Sequence, residues 1–302
     1  MKLKNIILLL FVSFIGFSCI NKKEFKEGSV KHVILIGIDG WGAYSVPNAD
    51  IPNIRFLMDN GSYTLKKRSV LPSSSAVNWA SMYMGAGPEL HGYCTWGSKV
   101  PDLPSRIVNE NNIFPTIFSE VRKKYKDAEI GNIYEWNGIK YLVDTLSISH
   151  DYHVPNAFKD TLSTVNYAVK YIKEKKPMFV NVVFDILDHV GHASGHKTQA
   201  YYNKLKDIDS YIGNIIEAAK TAKIWDNTII IVTADHGGIN KGHGGKTMEE
   251  METPFIIYGK NIKKGFEINE SMMQYDVAST IAKIFNINQP QVWVGRPMDV
   301  FE

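Results

Sequence analysis

The chain has 302 residues, 44% hydrophobic and 22% charged, which is ordinary globular composition and enough for one large domain or two modest ones. Its formal net charge is +3, or +1 without the first 18 residues, so nothing pulls it toward a nucleic-acid polymer and none is expected as a partner. With only Cys19 and Cys94 there is no disulfide framework, and stability must come from a packed core.

In residues 1–18, Lys2 and Lys4 precede an apolar run from Ile6 to Phe17. The run is too short to span a bilayer comfortably and too apolar for a surface, so it reads as an export signal, the alternative being an uncleaved anchor helix. Ser18-Cys19 at its end resembles the bacterial lipobox, although Gly16 stands where leucine is usual. That resemblance implies cleavage before Cys19, a lipid anchor on its sulfur, and a folded part on an extracytoplasmic membrane face, in the periplasm or at the cell surface. Residues 19–30 form a short charged tether, and residues 31–302 the catalytic domain.

"KHVILIGIDG" (31–40) is a continuous apolar run, as in a strand buried on both faces. "NIRFLMDNG" is a short helix closed by Gly61, "SYTLKKRSVLPS" an extended stretch, and "AVNWASMYMGAG" a helix ending at glycines. "NIFPTIFSEVRKKYKD" is an amphipathic helix feeding the strand "AEIGNIYEW". The helix "STVNYAVKYIKEKK" leads to the strand "PMFVNVVFDILD", and the long helix "AYYNKLKDIDSYIGNIIEAAKTA" to the strand "NTIIIVTAD". "TPFIIYG" is a last strand and "YDVASTIAKIFNI" a last helix. Alternating strands and helices predict an α/β fold, a three-layer α/β/α sandwich with a largely parallel central sheet. Between about residues 93 and 160 the alternation loosens and aromatics accumulate, so this stretch is expected to form a small inserted cap.

Open α/β sheets build sites where strands end. "GIDGWG", "FDILDHVGH" and "TADHGG" lie at such ends. Asp39, Asp235 and His236 make an Asp/Asp/His set suited to zinc, though an Asp-Gly dipeptide such as Asp39-Gly40 is equally at home in a turn. Asp188 and His192 are four apart and share a helix face; Asp185 and His189 have the same spacing, and periodicity does not choose between the pairs. His196 stands behind them, and His243, in the glycine-rich loop "GINKGHGG", can return over the strand ends. Two three-ligand sites, Asp39/Asp235/His236 and Asp188/His192/His243, can hold a metal pair of the kind that clamps in-line displacement at phosphorus. Ser73, Ser74 and Ser75 precede a helix whose N-terminus favours anions, so they supply either a nucleophile or a cap.

These residues resemble the alkaline phosphatase superfamily, and within it the type I phosphodiesterase/nucleotide pyrophosphatase family. "ILIGIDGWG" carries the first Asp, Asp39. "SAVNWASMYMGAGPELHGY" matches the nucleophile segment, with Ser75 as nucleophile, Asn78 three residues on, then Gly85, Pro88, Glu89, His91 and Gly92. Asp188, Gly191 and His192 fit Asp-x-x-Gly-His, which settles the register, and Asp235, His236 and Gly237 fit Asp-His-Gly. The resemblance covers most of residues 31–258. Its eukaryotic members take the last zinc-binding His from far downstream, where this chain has none after residue 258, which leaves His243.

The resemblance implies two Zn2+ ions, one at Asp39, Asp235, His236 and Ser75, the other at Asp188, His192 and His243. It also implies a phosphoryl-serine on Ser75 and a donor role for Asn78 toward a non-bridging oxygen; His91 is structural. The expected activity is hydrolysis of a phosphodiester or pyrophosphate bond in a small-molecule phosphate ester. The superfamily alternatives are a phosphomonoesterase, a phosphonate hydrolase or a lipid head-group phosphotransferase, and the non-enzymatic one is a metal-binding surface lipoprotein. A sulfatase is excluded, because "SSSAVNW" lacks the Pro and Arg such enzymes place after the nucleophile. Trp79, Tyr83, Trp96, Tyr134 and Trp136 are expected beside the site or in the cap, where one or two would favour a diester.

Overall fold

A computed structural model describes residues 30–155 and 157–302; the expected export signal, Cys19 and nearly all of the expected tether lie outside the described residues. The first half runs β1 (His32–Ile38), α1 (Pro52–Asp59), β2 (Ser62–Arg68), α2 (Ser75–Met84), α3 (Pro88–His91), α4 (Ile117–Lys124), β3 (Ile130–Tyr134) and β4 (His150–His153). The second half runs α5 (Ser163–Lys175), β5 (Phe179–Phe184), α6 (Ile186–Ser194), α7 (Gln199–Thr221), β6 (Thr228–Thr233), α8 (Met248–Met251), β7 (Glu252–Gly259), β8 (Phe266–Glu267) and α9 (Asp276–Ile284).

The strands form one sheet in the order β4-β3-β5-β1-β6-β7-β2-β8. The five from β4 to β6 are mutually parallel, and β7 runs against both of its neighbours. β1 lies at the centre, with Ile34 opposite Val180 on β5 and Ile230 on β6. Its alternate residues face opposite layers. Val33 and Leu35 pack with Trp79, Phe118 and Ile281 from α2, α4 and α9, whereas Ile34, Ile36 and Ile38 pack with Leu57, Ile172 and Ile212 from α1, α5 and α7. Burial on both sides is why the run is apolar without alternation. The sheet between two helical layers is the expected three-layer sandwich.

Three expectations need correction. Residues 93–160 are not a cap throughout, because α4, β3 and β4 within them belong to the sandwich and extend its sheet. The strand "PMFVNVVFDILD" ends at Phe184: buried Glu135, just past β3, accepts the N–H groups of Asp185 (2.7 Å) and Ile186 (2.9 Å) through Oε2 and so starts α6. The helix expected from "NIFPTIF" begins only at Ile117, where Thr116 and Ser119 form a reciprocal capping box. No helix among the described residues is long and apolar enough to cross a membrane.

Candidate active site

Asp39, Asp185 and Asp235 follow the C-terminal ends of β1, β5 and β6, three adjacent parallel strands. α6 then carries Asp188 and His192 one turn apart over the same edge. On the opposite layer α2 begins at Ser75, so the site straddles both faces at the point where open α/β sheets bind ligands. Gly40 makes the close approach possible: its φ is +70°, and a Cβ there would lie 2.6 Å from Asp188 Oδ1.

The structure brings the nominated carboxylates and histidines to one strand edge, but His192 lies outside the groups whose ligand atoms converge and His236 takes its place beside Asp188 and His243. Ligand atoms of Asp39, Asp235 and His236 lie within 4.8 Å of one another, as do those of Asp188, His236 and His243. His192 sits at the rim with its side chain 46% exposed, and its Nε2 is 3.1 Å from Asp188 Oδ2. His243 Nε2 is 3.9 Å from the same oxygen.

The hydrogen bonds of the three histidines decide what they offer. His236 Nδ1 lies 2.8 Å from Gly237 O, His192 Nδ1 2.9 Å from Lys241 O, and His243 Nδ1 3.1 Å from Ser73 O. A carbonyl only accepts, so each Nδ1 carries a proton and each Nε2 is the atom turned into the site, offering a lone pair whenever its ring is neutral. His236 Nε2 then meets Asp235 Oδ2 at 3.2 Å and Asp39 Oδ1 at 3.4 Å. These two carboxylate oxygens are buried without a hydrogen-bond partner, as is Asp188 Oδ1. Acceptors converging on acceptors in a buried site call for a cation between them, and a nitrogen/oxygen set without sulfur fits zinc. The residues present therefore fit the metal pair.

The titration of the site agrees with that need. Burial, then the neighbouring Asp235 and Asp188 charges, pushes the Asp39 carboxyl well above the usual range. Burial followed by Asp188 does the same to Asp235, and burial followed by Asp39 to Asp185. Burial also takes His236 down to about 3, keeping it neutral. His192 is pushed up to about 9 by its hydrogen bond to Asp188, so a metal ion must displace its proton.

Ser75 Oγ is 3.1 Å from His236 Nε2, on the same point as the Asp39 and Asp235 oxygens. Asn78 is a correction. It is fully buried, its Oδ1 accepts from Val70 N (2.7 Å), and its Nδ2 donates to the carbonyls of Val70, Pro72 and Ser74 at 3.1–3.2 Å. With both ends committed to the loop before α2 it has no donor left for a substrate oxygen, and it acts by fixing that loop. His91 is structural, as expected: buried, held between Ser81 Oγ (2.9 Å) and Tyr93 N (3.1 Å), and pushed by burial down to about 3.

Spacing alone did not reveal what several supporting residues do. Trp79 Nε1 donates to Asp39 Oδ2 at 2.9 Å, leaving Oδ1 for the centre. Asp185 joins Asp39 and Asp188 in a carboxylate trio, while His189 turns away to stack on Phe158 at 4.6 Å. Behind Asp235, buried Lys67 donates to Ala234 O (2.7 Å) and to Gln274 Oε1, and burial takes it down to about 7. His196 Nδ1 meets the Tyr44 hydroxyl at 3.1 Å behind the loop that carries His243.

Of the five aromatics expected near the site, Trp79, Tyr83 and Tyr134 are core. Trp96 is 60% exposed, faces Trp136 at 6.4 Å, and lines a cavity of about 590 Å³ with Pro72, Ser74, Thr95, His192 and His243. Arg68 points outward to Glu252 (3.2 Å), away from this cavity.

Residues 33–252 match the family described as type I phosphodiesterase/nucleotide pyrophosphatase. Among curated proteins, the bis(5'-adenosyl)-triphosphatase of Bos taurus is 21% identical over 76% of this chain and 52% of its own length. The phosphopentomutase of Alkaliphilus metalliredigens is 29% identical over 53% of this chain and 36% of its own length, so the chain spans about half or less of these relatives. Murine ectonucleotide pyrophosphatase/phosphodiesterase 5, solved in an inactive form with AMP, superposes with a TM-score of 0.71 at 16% identity. That superposition covers 89% of this chain and 97% of the solved one, and it shows the shared alkaline-phosphatase-like fold.

Proposed function

This chain belongs to the type I phosphodiesterase/nucleotide pyrophosphatase family, and from that premise we propose that it is a zinc-dependent hydrolase of phosphodiester or pyrophosphate bonds. Asp39, Asp235 and His236, with Ser75, would hold one zinc ion, and Asp188, His192 and His243 the other. When bound, the two cations lower the pKa of the serine hydroxyl and neutralise charge developing on the phosphoryl oxygens. Ser75 Oγ forms a bond to phosphorus, the bond to the leaving oxygen breaks, and the serine proton passes to solvent. Water then adds to phosphorus and frees Ser75. The start of α2 turns the positive end of its dipole toward the phosphoryl group.

The observation that carries this reading is the convergence of Ser75 Oγ, two orphaned carboxylate oxygens and an Nε2 lone pair on one buried point. Trp96, exposed at the cavity wall, favours an esterified second group over a bare monoester. The substrate is accordingly a small nucleotide-like or aryl-substituted ester rather than a polymer. The test is turnover of an aryl phosphodiester by the purified enzyme, its loss on chelation, and its return with zinc; turnover unaffected by exhaustive chelation would refute it.

The export signal and Cys19 support an enzyme anchored by lipid on an extracytoplasmic membrane face. Cys19→Ala should then give a soluble or unprocessed product. A wild-type protein that is soluble and carries no acyl mass would overturn the anchor.

A further inference from the structure

With Asn78 committed to its own loop, the phosphoryl group lacks the side-chain donor that the sequence nominated, and the neighbouring residue has one to spare. Ser74 is the N-cap of α2, a ten-residue helix, with extended backbone (φ −137°, ψ 159°). Serine favours that position because its oxygen normally accepts an N–H from the first turn. Here it does not: Ser74 makes no side-chain cap bond, and Ala76 N donates instead to Trp96 O at 3.2 Å. The Ser74 hydroxyl is left buried without any hydrogen-bond partner on a residue only 4% exposed. An unpaired buried hydroxyl is destabilising, so its retention asks for a partner that arrives later.

The backbone around it is fixed. Ser74 N donates to Pro72 O (2.8 Å), and Ser74 O accepts from both Asn78 N and Asn78 Nδ2 at 3.1 Å. Only the hydroxyl is free, and rotation about its Cα–Cβ bond carries it through three staggered positions. Ser74 lines the cavity that His192 and His243 also border, one residue before the nucleophile. Its distinction from the nucleophile is geometric: Ser75 Oγ reaches His236 Nε2, and Ser74 Oγ reaches no metal-ligating atom.

We propose that Ser74 is a catalytic residue whose hydroxyl donates to a non-bridging oxygen of the substrate phosphoryl group, with Asn78 holding the Ser74 carbonyl so that the hydroxyl is presented. This rests on Ser75 being the nucleophile. The ligand chemistry is an anionic, tetrahedral or trigonal-bipyramidal phosphoryl group.

The test compares wild type, Ser74→Ala and Ser74→Thr as zinc-loaded enzymes on an aryl phosphodiester, with orthovanadate inhibition and acid-quenched peptide mapping of the covalent label. Ser74→Ala should lower kcat about tenfold to a hundredfold, as loss of one oxyanion donor does, and weaken orthovanadate inhibition by a similar factor. Its thermal midpoint should hold, because no cap is lost, and its label should stay on Ser75. Ser74→Thr keeps the hydroxyl and should keep most of the rate. If Ser74→Ala does not fold, Ser74→Gly, tolerated at an N-cap, is read in the same way. Wild-type kcat and orthovanadate inhibition in the hydroxyl-free variant would overturn the proposal and leave the Ser75 assignment intact. A label that maps to Ser74 in the wild type would overturn both.

Discussion

Replacing Trp79 with Phe separates the support of the metal centre from the stability of the core. The indole is fully buried, stacks on Tyr83 (5.8 Å between centroids, 19° between planes), and donates from Nε1 to Asp39 Oδ2 at 2.9 Å. A Cβ on Gly37 would come within 2.4 Å of the ring, so the indole lies directly on β1. Phe keeps the stacking and deletes the donor. Without metal, burial shifts the Asp39 carboxyl toward its neutral form, and a bond to a neutral group contributes about 1 kcal/mol. With zinc the carboxylate is ionised, and the same bond contributes about 1.5–3 kcal/mol. The difference, about 0.5–2 kcal/mol, is about a two- to thirtyfold loss of zinc affinity. The smaller ring also leaves a void that lowers the midpoints of zinc-free and zinc-loaded protein alike by a few degrees, about 1–3 kcal/mol. Competition against a chromophoric chelator measures the affinity, and melting of both forms measures the common loss. Equal falls in both midpoints with unchanged zinc affinity would refute a supporting role for the indole.

Ser75→Ala should lower kcat by more than about 10³-fold while zinc still binds, because the covalent route is lost and the electrostatic site remains; retained turnover counts against the nucleophile. Zinc uptake should weaken as pH falls below about 9, since the proton that Asp188 holds on His192 must be displaced. The raised His192 pKa has the opposite effect on the metal-free protein: its stabilisation is complete below the unfolded value near 6.5 and is lost as pH rises through about 9. Pulse calorimetry in buffers of different ionisation heat should show proton release at neutral pH, and zinc affinity independent of pH from 6 to 9 would contradict it. An aryl phosphodiester should be cleaved with a higher kcat/KM than the matching monoester, because Trp96 borders the cavity and Arg68 points away. A monoester preference above about tenfold, or 1.4 kcal/mol, would reverse that. Elemental analysis should find two zinc ions per chain, and a single metal would end the paired-site account.

The parts of the fold that were legible are those whose burial is written into composition. β1, β5 and β6 are apolar runs because both faces are covered, and the acids that follow them mark strand ends. β4 and β8, four and two residues long at the sheet edges, carry no such signal, and an apolar run does not reveal that β7 is antiparallel. Within the site, ligand identity was readable from residue type and order, but side-chain direction was not. Asn78 has the chemistry of an oxyanion donor and spends it on the backbone of Val70, Pro72 and Ser74. Spacing offered Asp185 with His189 as a rival pair. The structure separates them, because Asp185 stands just before α6 and joins the carboxylates while His189 leaves for Phe158. Trp79 looked like any apolar residue of a buried helix, and its single polar atom is what matters.

The central claim, a covalent phosphoryl-serine at the converging metal-ligand site, is tested most directly by acid-quenching the zinc-loaded enzyme during turnover of an aryl phosphodiester and mapping the bound phosphoryl group by mass spectrometry. The account predicts up to one phosphoryl adduct per chain, on the peptide that contains Ser75 and at Ser75 itself. Rapid turnover with no adduct at any quench time, or an adduct on any other residue, would contradict it.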